Sequence, residues 1–288
     1  MRVLFIVNPV SGGLVKNISN YPSRYLDLKK YNYDIVYTEY AGHAVSLAKE
    51  SNADIVVAVG GDGTVNEVGR ALIGTDKILG IIPCGSGNGL ARHLGLSNYM
   101  KAFDSINQFQ TIQMDTGLIN ERVFFCTCGV GLDAEVSQMF ANSKRRGLLL
   151  YCIDTIKALV NYTPHRYDIT IDGDIYTDEA ILITVGNANQ WGNNAYITPL
   201  ASICDGMLDI TVLRDFNFLG IPRLLLQLLT GRLYNNRKTT HYKGKSIVIN
   251  RTDAGPAHFD GDPITMGKTI SISLSERKLR VLSGKRKV

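Results

Sequence analysis

Apolar residues in the first third of the chain fall in short runs, Val3–Val7, Tyr33–Tyr37, Ile55–Val59 and Ile78–Ile82. Runs this short, rich in valine and isoleucine and closed by glycine, proline or asparagine, predict buried strands. Between them, Ala41–Glu50 and Val65–Ile73 space their apolar residues helically. Strand and helix alternate, which with right-handed crossovers predicts a parallel sheet. Near residue 110 the texture changes. Thr111–Thr116, Val123–Cys128, Arg166–Ile171, Ile181–Val185, Leu208–Leu213, Ser246–Asn250 and Ile270–Leu274 predict strands joined by turns, and Asp172-Gly173 is a hairpin signal. This half is expected to be mostly antiparallel. Leu148–Val160 and Phe218–Leu229 interrupt it as apolar helices, read as core, with a lipid-accepting groove as the alternative. Leu279–Leu282 predicts a last strand able to return to either half.

Composition places few limits on this picture. A hydrophobic content of 45% with 20% charged residues is that of a soluble globular protein, and 288 residues suit two domains. Thirty-one basic against 26 acidic residues leave +5, too mild a charge to argue for nucleic acid. Much of it lies in Arg277, Lys278, Arg280, Lys285, Arg286 and Lys287, a tail read equally as a lipid-contacting segment and as a solvated end. The start lacks the apolar core of a signal peptide and no run reaches transmembrane length, so a cytoplasmic protein is expected. Cysteines at 84, 126, 128, 152 and 204 show no C-x-x-C spacing, Cys126 and Cys128 alternate along an apolar strand and are read as packed thiols, and the histidines show no metal-ligand spacing.

The chemistry gathers at the strand ends. Three glycine-rich turns, 8–13, 60–63 and 83–89, each follow a predicted strand, where open α/β sheets bind ligands. In Gly60-Gly61-Asp62-Gly63 three glycines let a ligand approach the backbone, and Thr64 and Glu67 stand at capping-box spacing to start a helix. Such a helix N-terminus favours anions. A carboxylate there is unfavourable unless a cation joins it, and Mg²⁺ carried by a nucleotide supplies one.

Six motifs in order resemble the diacylglycerol-kinase catalytic family, the soluble lipid kinases that include bacterial diacylglycerol kinases and sphingosine and ceramide kinases. They are Asn8-Pro9-Val10-Ser11-Gly12, Gly60 to Glu67, Pro83 to Asn88, Gly129 to Ala134, the Pro199–Asp209 run and Asp260-Gly261-Asp262. The resemblance spans nearly the whole chain, and its later motifs favour lipid kinases over NAD kinases and phosphofructokinases, which share or approach the aspartate block. It implies a nucleotide-binding α/β domain with a parallel sheet over 1–112, of NAD kinase/phosphofructokinase-like fold. A mostly antiparallel, β-sandwich-like lipid-substrate domain over 113–275 follows. The basic segment 276–288 is left free to return to the first domain.

The resemblance also implies roles. ATP is expected against Asn8, Pro9, Val10, Ser11, Gly12, Thr38, Gly60, Gly61, Asp62, Gly63, Thr64, Val65, Asn66 and Ser86. Asp62 is expected to reach the catalytic Mg²⁺, and Asp262 to serve as general base where the family usually carries glutamate. Ser202, Asp205 and Met207 match a structural Mg²⁺ site of bacterial members, an ordinary Asp-Gly turn being the competing reading. Asn88-Gly89 departs from the Asn-Asp of bacterial diacylglycerol kinases, which leaves a sphingoid base open beside diacylglycerol. The expected activity is transfer of the γ-phosphoryl group of ATP to a hydroxyl of a membrane lipid. A soluble-acceptor kinase such as NAD kinase, or an inactive nucleotide sensor, stands as alternative. The expected partner is a lipid at the membrane surface, contacted peripherally, with no nucleic acid and a homodimer left open.

Overall fold

The computed structural model describes residues 1–12, 18–142, 162–216 and 218–284. The predicted helix over Leu148–Val160 and the basic Lys285, Arg286 and Lys287 lie outside these ranges. The chain divides into two compact units, Met1–Thr116 with the segment from Glu276 onward, and Gly117–Ser275.

In the first unit β1 (Arg2–Val7), β2 (Asn32–Tyr37), β3 (Ile55–Gly60) and β4 (Ile78–Pro83) are parallel, in the order β2-β1-β3-β4. Every residue of β3 is buried. Val57 and Val59 join one core with Phe5 and with Phe103 and Ile106 of a helix at Tyr99–Gln108. The opposite face carries Val56 and Ala58, and there the helices at His43–Glu50 and Asp62–Leu72 pack. In chain order the helices are α1 (Tyr21–Tyr25), α2 (His43–Glu50), α3 (Asp62–Leu72), α4 (Gly89–His93) and α5 (Tyr99–Gln108).

Two expectations change here. β5 (Thr111–Met114), read with the antiparallel half, instead forms the edge of the first sheet, antiparallel to the last strand at Leu279–Leu282, which also pairs in parallel with β4. The capping box at Thr64 and Glu67 does not form, because α3 begins two residues earlier than Thr64, with Gly61 as N-cap and no side-chain cap. Glu67 instead caps a different helix. Its carboxylate accepts N–H bonds from Gly42 (2.9 Å) and Ala44 (3.2 Å) at the start of α2. The other end of α2 is held by Lys77 Nζ, which donates to the carbonyls of Ala48, Lys49 and Ser51, where a cation suits the helix dipole.

Among the described residues the second unit is two six-stranded antiparallel sheets. Its strands are β6 (Gly117–Ile119), β7 (Arg122–Phe124), β8 (Thr127–Gly131), β9 (His165–Ile171), β10 (Asp174–Ala180), β11 (Leu182–Gly186), β12 (Leu208–Leu213), β13 (Thr239–Gly244), β14 (Ser246–Arg251), β15 (Gly255–Phe259), β16 (Asp262–Met266) and β17 (Thr269–Leu274); the Leu279–Leu282 strand of the first unit is β18. One sheet runs β10-β9-β14-β17-β6-β7 and the other β13-β12-β11-β8-β15-β16. Ile169, Ile249 and Ile272 of the first meet Val130, Val185 and Ile210 of the second in one core. β9 alternates buried and exposed residues, whereas β8, β11 and β12 are buried throughout. The reason is a second apolar layer on their far side, where Leu182 and Leu213 pack with residues of α6 (Leu132–Asn142) and α7 (Ile221–Leu229). The expected helix over Phe218–Leu229 opens with a 3₁₀ turn at Phe218–Gly220 before α7. Asp172-Gly173 forms the expected two-residue hairpin, joining Ile171 to Asp174 with φ of 48° and 102°.

Candidate active site

Because β1, β3 and β4 are neighbours and parallel, their C-terminal turns emerge side by side at one edge of the first sheet, and Thr38 follows β2 at the same edge. The turns are bonded to one another. Cys84 N donates to the Gly60 carbonyl at 2.8 Å, Asn8 N to Val59 O at 3.0 Å, and Asn8 Nδ2 to Thr64 Oγ1 at 3.1 Å. Asn8 Oδ1 accepts from Val10 N, which fixes the first turn on itself. Glycine is required where backbones touch. A Cβ on Gly85 would stand 2.6 Å from the Gly61 Cα, and Gly12, at φ +54°, faces the Cys84 carbonyl with no room for a side chain.

Asp62 ties the arrangement together. It is the first residue of α3, and its carboxylate accepts Asn88 N at Oδ2 and Gly89 N at Oδ1, both at 2.8 Å. Asn88 is left-handed (φ 53°), and its own side chain closes the loop by bonding both Gly85 N and Gly85 O. The carboxylate is therefore held in one plane by two backbone donors. Nothing local in the sequence announces these partners, which stand 26 and 27 residues away. Among the other expected nucleotide contacts, Val65 and Asn66 are buried along α3, while Pro9, Val10, Gly63 and Ser86 are exposed at the rim. Burial pushes the Cys84 thiol up to about 11, as suits a packed cysteine.

In the second unit, Asp260-Gly261 is a two-residue hairpin loop between Phe259 and Asp262, with φ of 49° and 88°. Asp260 accepts three backbone N–H groups, from Cys126 (2.7 Å), Phe125 (2.9 Å) and Thr127 (3.2 Å). Asp262 is the first residue of β16 and is exposed. The hairpin thus uses one acidic residue as an anchor and presents the other to solvent.

A buried pair joins β15, the strand that leads into this hairpin, to α6. His258 Nε2 is 3.0 Å from Asp133 Oδ2, which also accepts Thr184 Oγ1 at 2.6 Å, and Asp133 Oδ1 accepts Ala134 N at 2.9 Å. Gly129 makes room for that carboxylate, since a Cβ there would lie 2.6 Å from Asp133 Oδ2. Sequence gives no sign of it, with 125 residues between the two partners.

Ser202, Asp205 and Met207 lie on the loop before β12. Asp205 Oδ1 accepts Met207 N at 3.1 Å, which is Asx-turn geometry, and Gly206 follows at φ 70°. Asp205 Oδ2 accepts Lys243 Nζ at 2.9 Å, and the same ammonium lies 3.3 Å from Asp209. Burial pushes the Asp209 carboxyl up to about 6, against the pull of Lys243. For Lys243, burial alone would lower its pKa, but the Asp205 hydrogen bond and the Asp209 charge raise it. The charge facing Asp205 is therefore an ammonium. Among the described residues no cluster of three or more His, Cys, Asp or Glu side chains has metal-binding geometry.

Residues 126–282 match the YegS C-terminal NAD kinase beta sandwich-like domain, and residues 2–119 match the diacylglycerol kinase catalytic domain. Fold and family models together thus define a kinase with an NAD kinase-like fold. The chain is 31% identical over 268 residues to a Mycobacterium tuberculosis diacylglycerol kinase, covering 86% of this chain and 84% of that one. It is 28% identical over 272 residues to the Bacillus subtilis diacylglycerol kinase, covering 91% and 89%. A solved diacylglycerol kinase from Bacillus anthracis strain Sterne superposes with a TM-score of 0.75 at 23% identity, over 100% of this chain and 98% of that one. The chain belongs to the diacylglycerol kinase family; it is a lipid kinase, a phosphotransferase that uses ATP. No helix among the described residues is long and apolar enough to cross a membrane.

Proposed function

We propose that the protein transfers the γ-phosphoryl group of ATP to the free hydroxyl of diacylglycerol, with the triphosphate lying against Asn8–Gly12, Gly60–Asn66 and Ser86 and with Thr38 beside it. The observation that carries this reading is the glycine-lined edge of the first sheet, where backbones approach closely and α3 begins at Asp62. Bare backbone N–H groups and the positive end of α3, an 11-residue helix, suit phosphate oxygens. The two curated relatives named above, both diacylglycerol kinases, support the acceptor.

Mg²⁺ bound with the nucleotide supplies neutralisation of the charge on the phosphates. Asp62 would hold it through its water shell. Its two oxygens accept Asn88 N and Gly89 N, which holds the carboxylate at the glycine-lined edge where the phosphates and their ion are proposed to lie. Asp62 thereby keeps turn and ion in register, and positioning of this kind carries much of the rate in phosphoryl transfer.

Asp262 is the proposed general base. As the hydroxyl oxygen bonds to phosphorus and the bond to ADP breaks, Asp262 takes the hydroxyl proton. Exposure at the head of β16 supports the assignment. For the Ser202–Met207 loop we infer that the Lys243 ammonium takes the place of a structural divalent ion.

A second acceptor, a sphingoid base, is favoured by Asn88-Gly89 alone. Phosphorylation with labelled ATP across diacylglycerol, ceramide and sphingoid bases tests the choice. Diacylglycerol is expected to be the best substrate, and a product from sphingoid base alone would overturn the assignment.

A further inference from the structure

α7 is amphipathic in an uneven way. Ile221, Leu224, Leu225 and Leu228, at i, i+3, i+4 and i+7, pack into the apolar layer over the second sheet. That stripe satisfies the helix's need for a core. Yet Leu226 and Leu229 on the other side are 63% and 55% exposed, and Leu219 in the preceding turn is 84% exposed. Tyr234, just beyond the helix, is 47% exposed. Four of the large exposed apolar side chains therefore fall within sixteen residues, whereas singly scattered ones need no explanation.

Along this segment the charge has one sign, with Asp215 lying just before it. From Phe216 to Lys238 the basic residues are Arg223, Arg232, Arg237 and Lys238, and there is no Asp or Glu. The chain holds Arg232 and Tyr234 near the helix end. Thr230 N bonds Leu226 O (3.0 Å), Arg232 N bonds Gln227 O (2.8 Å) across a left-handed Gly231 (φ 68°), and Asn236 Nδ2 reaches Gln227 Oε1 (2.7 Å). Exposed leucines, an amphipathic aromatic and a purely basic flank are the composition of a helix lying in an anionic membrane interface.

We propose that α7, with the turn before it and the reversal after it, docks the protein on an anionic bilayer. Leu219, Leu226 and Leu229 enter the acyl boundary, and Arg223 and Arg232 meet the lipid phosphates. This rests on the reading that the acceptor is a bilayer lipid, and it names the surface that reaches it.

The test uses the full chain and vesicles of phosphatidylglycerol with phosphatidylcholine, or of phosphatidylcholine alone. Wild type is expected to float with the anionic vesicles and to be released by high salt. The triple variant Leu219→Ser, Leu226→Ser, Leu229→Ser is expected to lose roughly tenfold or more in vesicle affinity. It should still phosphorylate short-chain diacylglycerol dissolved as monomers, with an unchanged melting temperature. Arg223→Gln with Arg232→Gln should lose the preference for anionic vesicles.

As an independent readout, Leu226→Trp adds one indole to the single native tryptophan, Trp191. Its emission should shift to the blue on adding anionic vesicles. Wild-type affinity in the triple variant, or no shift from the new indole, would overturn the proposal. So would a fall in melting temperature of the triple variant, showing the leucines covered by this chain's own residues, or its change from dimer to monomer, showing a self-interface. Vesicle binding without lipid phosphorylation would instead sink the catalytic reading, while phosphorylation of monomeric lipid without vesicle binding would sink only the docking surface.

Discussion

Asp62 and Asp260 are each followed by glycine, and each anchors a turn by accepting backbone N–H groups from a distant segment. The first receives two donors at the start of a helix, the second receives three inside a hairpin whose residue has a left-handed φ. A carboxylate caged by three N–H groups is a structural fastener. One at a helix N-terminus, on an edge where glycine backbones crowd together, stands where the proposed nucleotide and its cation lie. The same dipeptide therefore serves two ends, and what separates them is where each turn stands, a helix N-terminus or a hairpin, rather than the residue types.

The contrast can be broken by substituting both. Asp62→Ala is expected to lower lipid phosphorylation by roughly 10²–10³-fold, the scale of losing one preorganised electrostatic contact, while shifting the melting temperature by only a few degrees. Asp260→Ala should do the reverse in kind. Leaving three N–H groups without their acceptor should destabilise the protein by about 3 kcal/mol, read as a lower urea midpoint. If the two variants exchanged these phenotypes, the assignment of roles would be wrong.

Next in size is Gly85→Ala. Its Cβ would press on the Gly61 backbone from 2.6 Å, and backbone cannot step aside as a side chain can. A loss of about 1–2 kcal/mol in stability and a several-fold weaker ATP affinity, measured by calorimetry, are expected.

The smallest effects concern Lys243 and Asp209. The folded carboxyl of Asp209 titrates near 6, above its ordinary 3.8. Between those values the folded state binds the extra proton, so this group's contribution to stability falls as pH rises from about 4 to about 6 and is flat above. Asp209→Asn should remove that slope, and urea midpoints at pH 4.5 and 7 would show it. Lys243→Met should make the melting temperature rise with added MgCl₂ where wild type does not respond. A wild type that responds equally would return the loop to the divalent ion.

Much of the fold is legible because its signals are local. Ile55–Val59 is a strand on composition alone, Asp172-Gly173 demands a hairpin, and three glycine turns follow three parallel strands. What stays hidden depends on distant partners. Thr64 and Glu67 have capping-box spacing, yet the glycines let α3 start at Asp62, so Thr64 turns to Asn8 and Glu67 to α2. Thr111–Met114 has the texture of the antiparallel half but pairs with a strand some 170 residues on, in Leu279–Leu282. Lys243 reaches Asp205 across 38 residues, and His258 meets Asp133 across 125. Spacing along the chain carries none of these.

On the proposed reading Asp62 acts on the ion carried by the nucleotide and does more than fasten a turn. Asp62→Asn keeps one acceptor oxygen and the side chain's shape, so it is the variant to titrate. With labelled ATP and diacylglycerol, the Mg²⁺ concentration for half-maximal rate should rise roughly tenfold or more relative to wild type, with a lower plateau. A Mg²⁺ dependence and plateau equal to those of wild type would contradict the account.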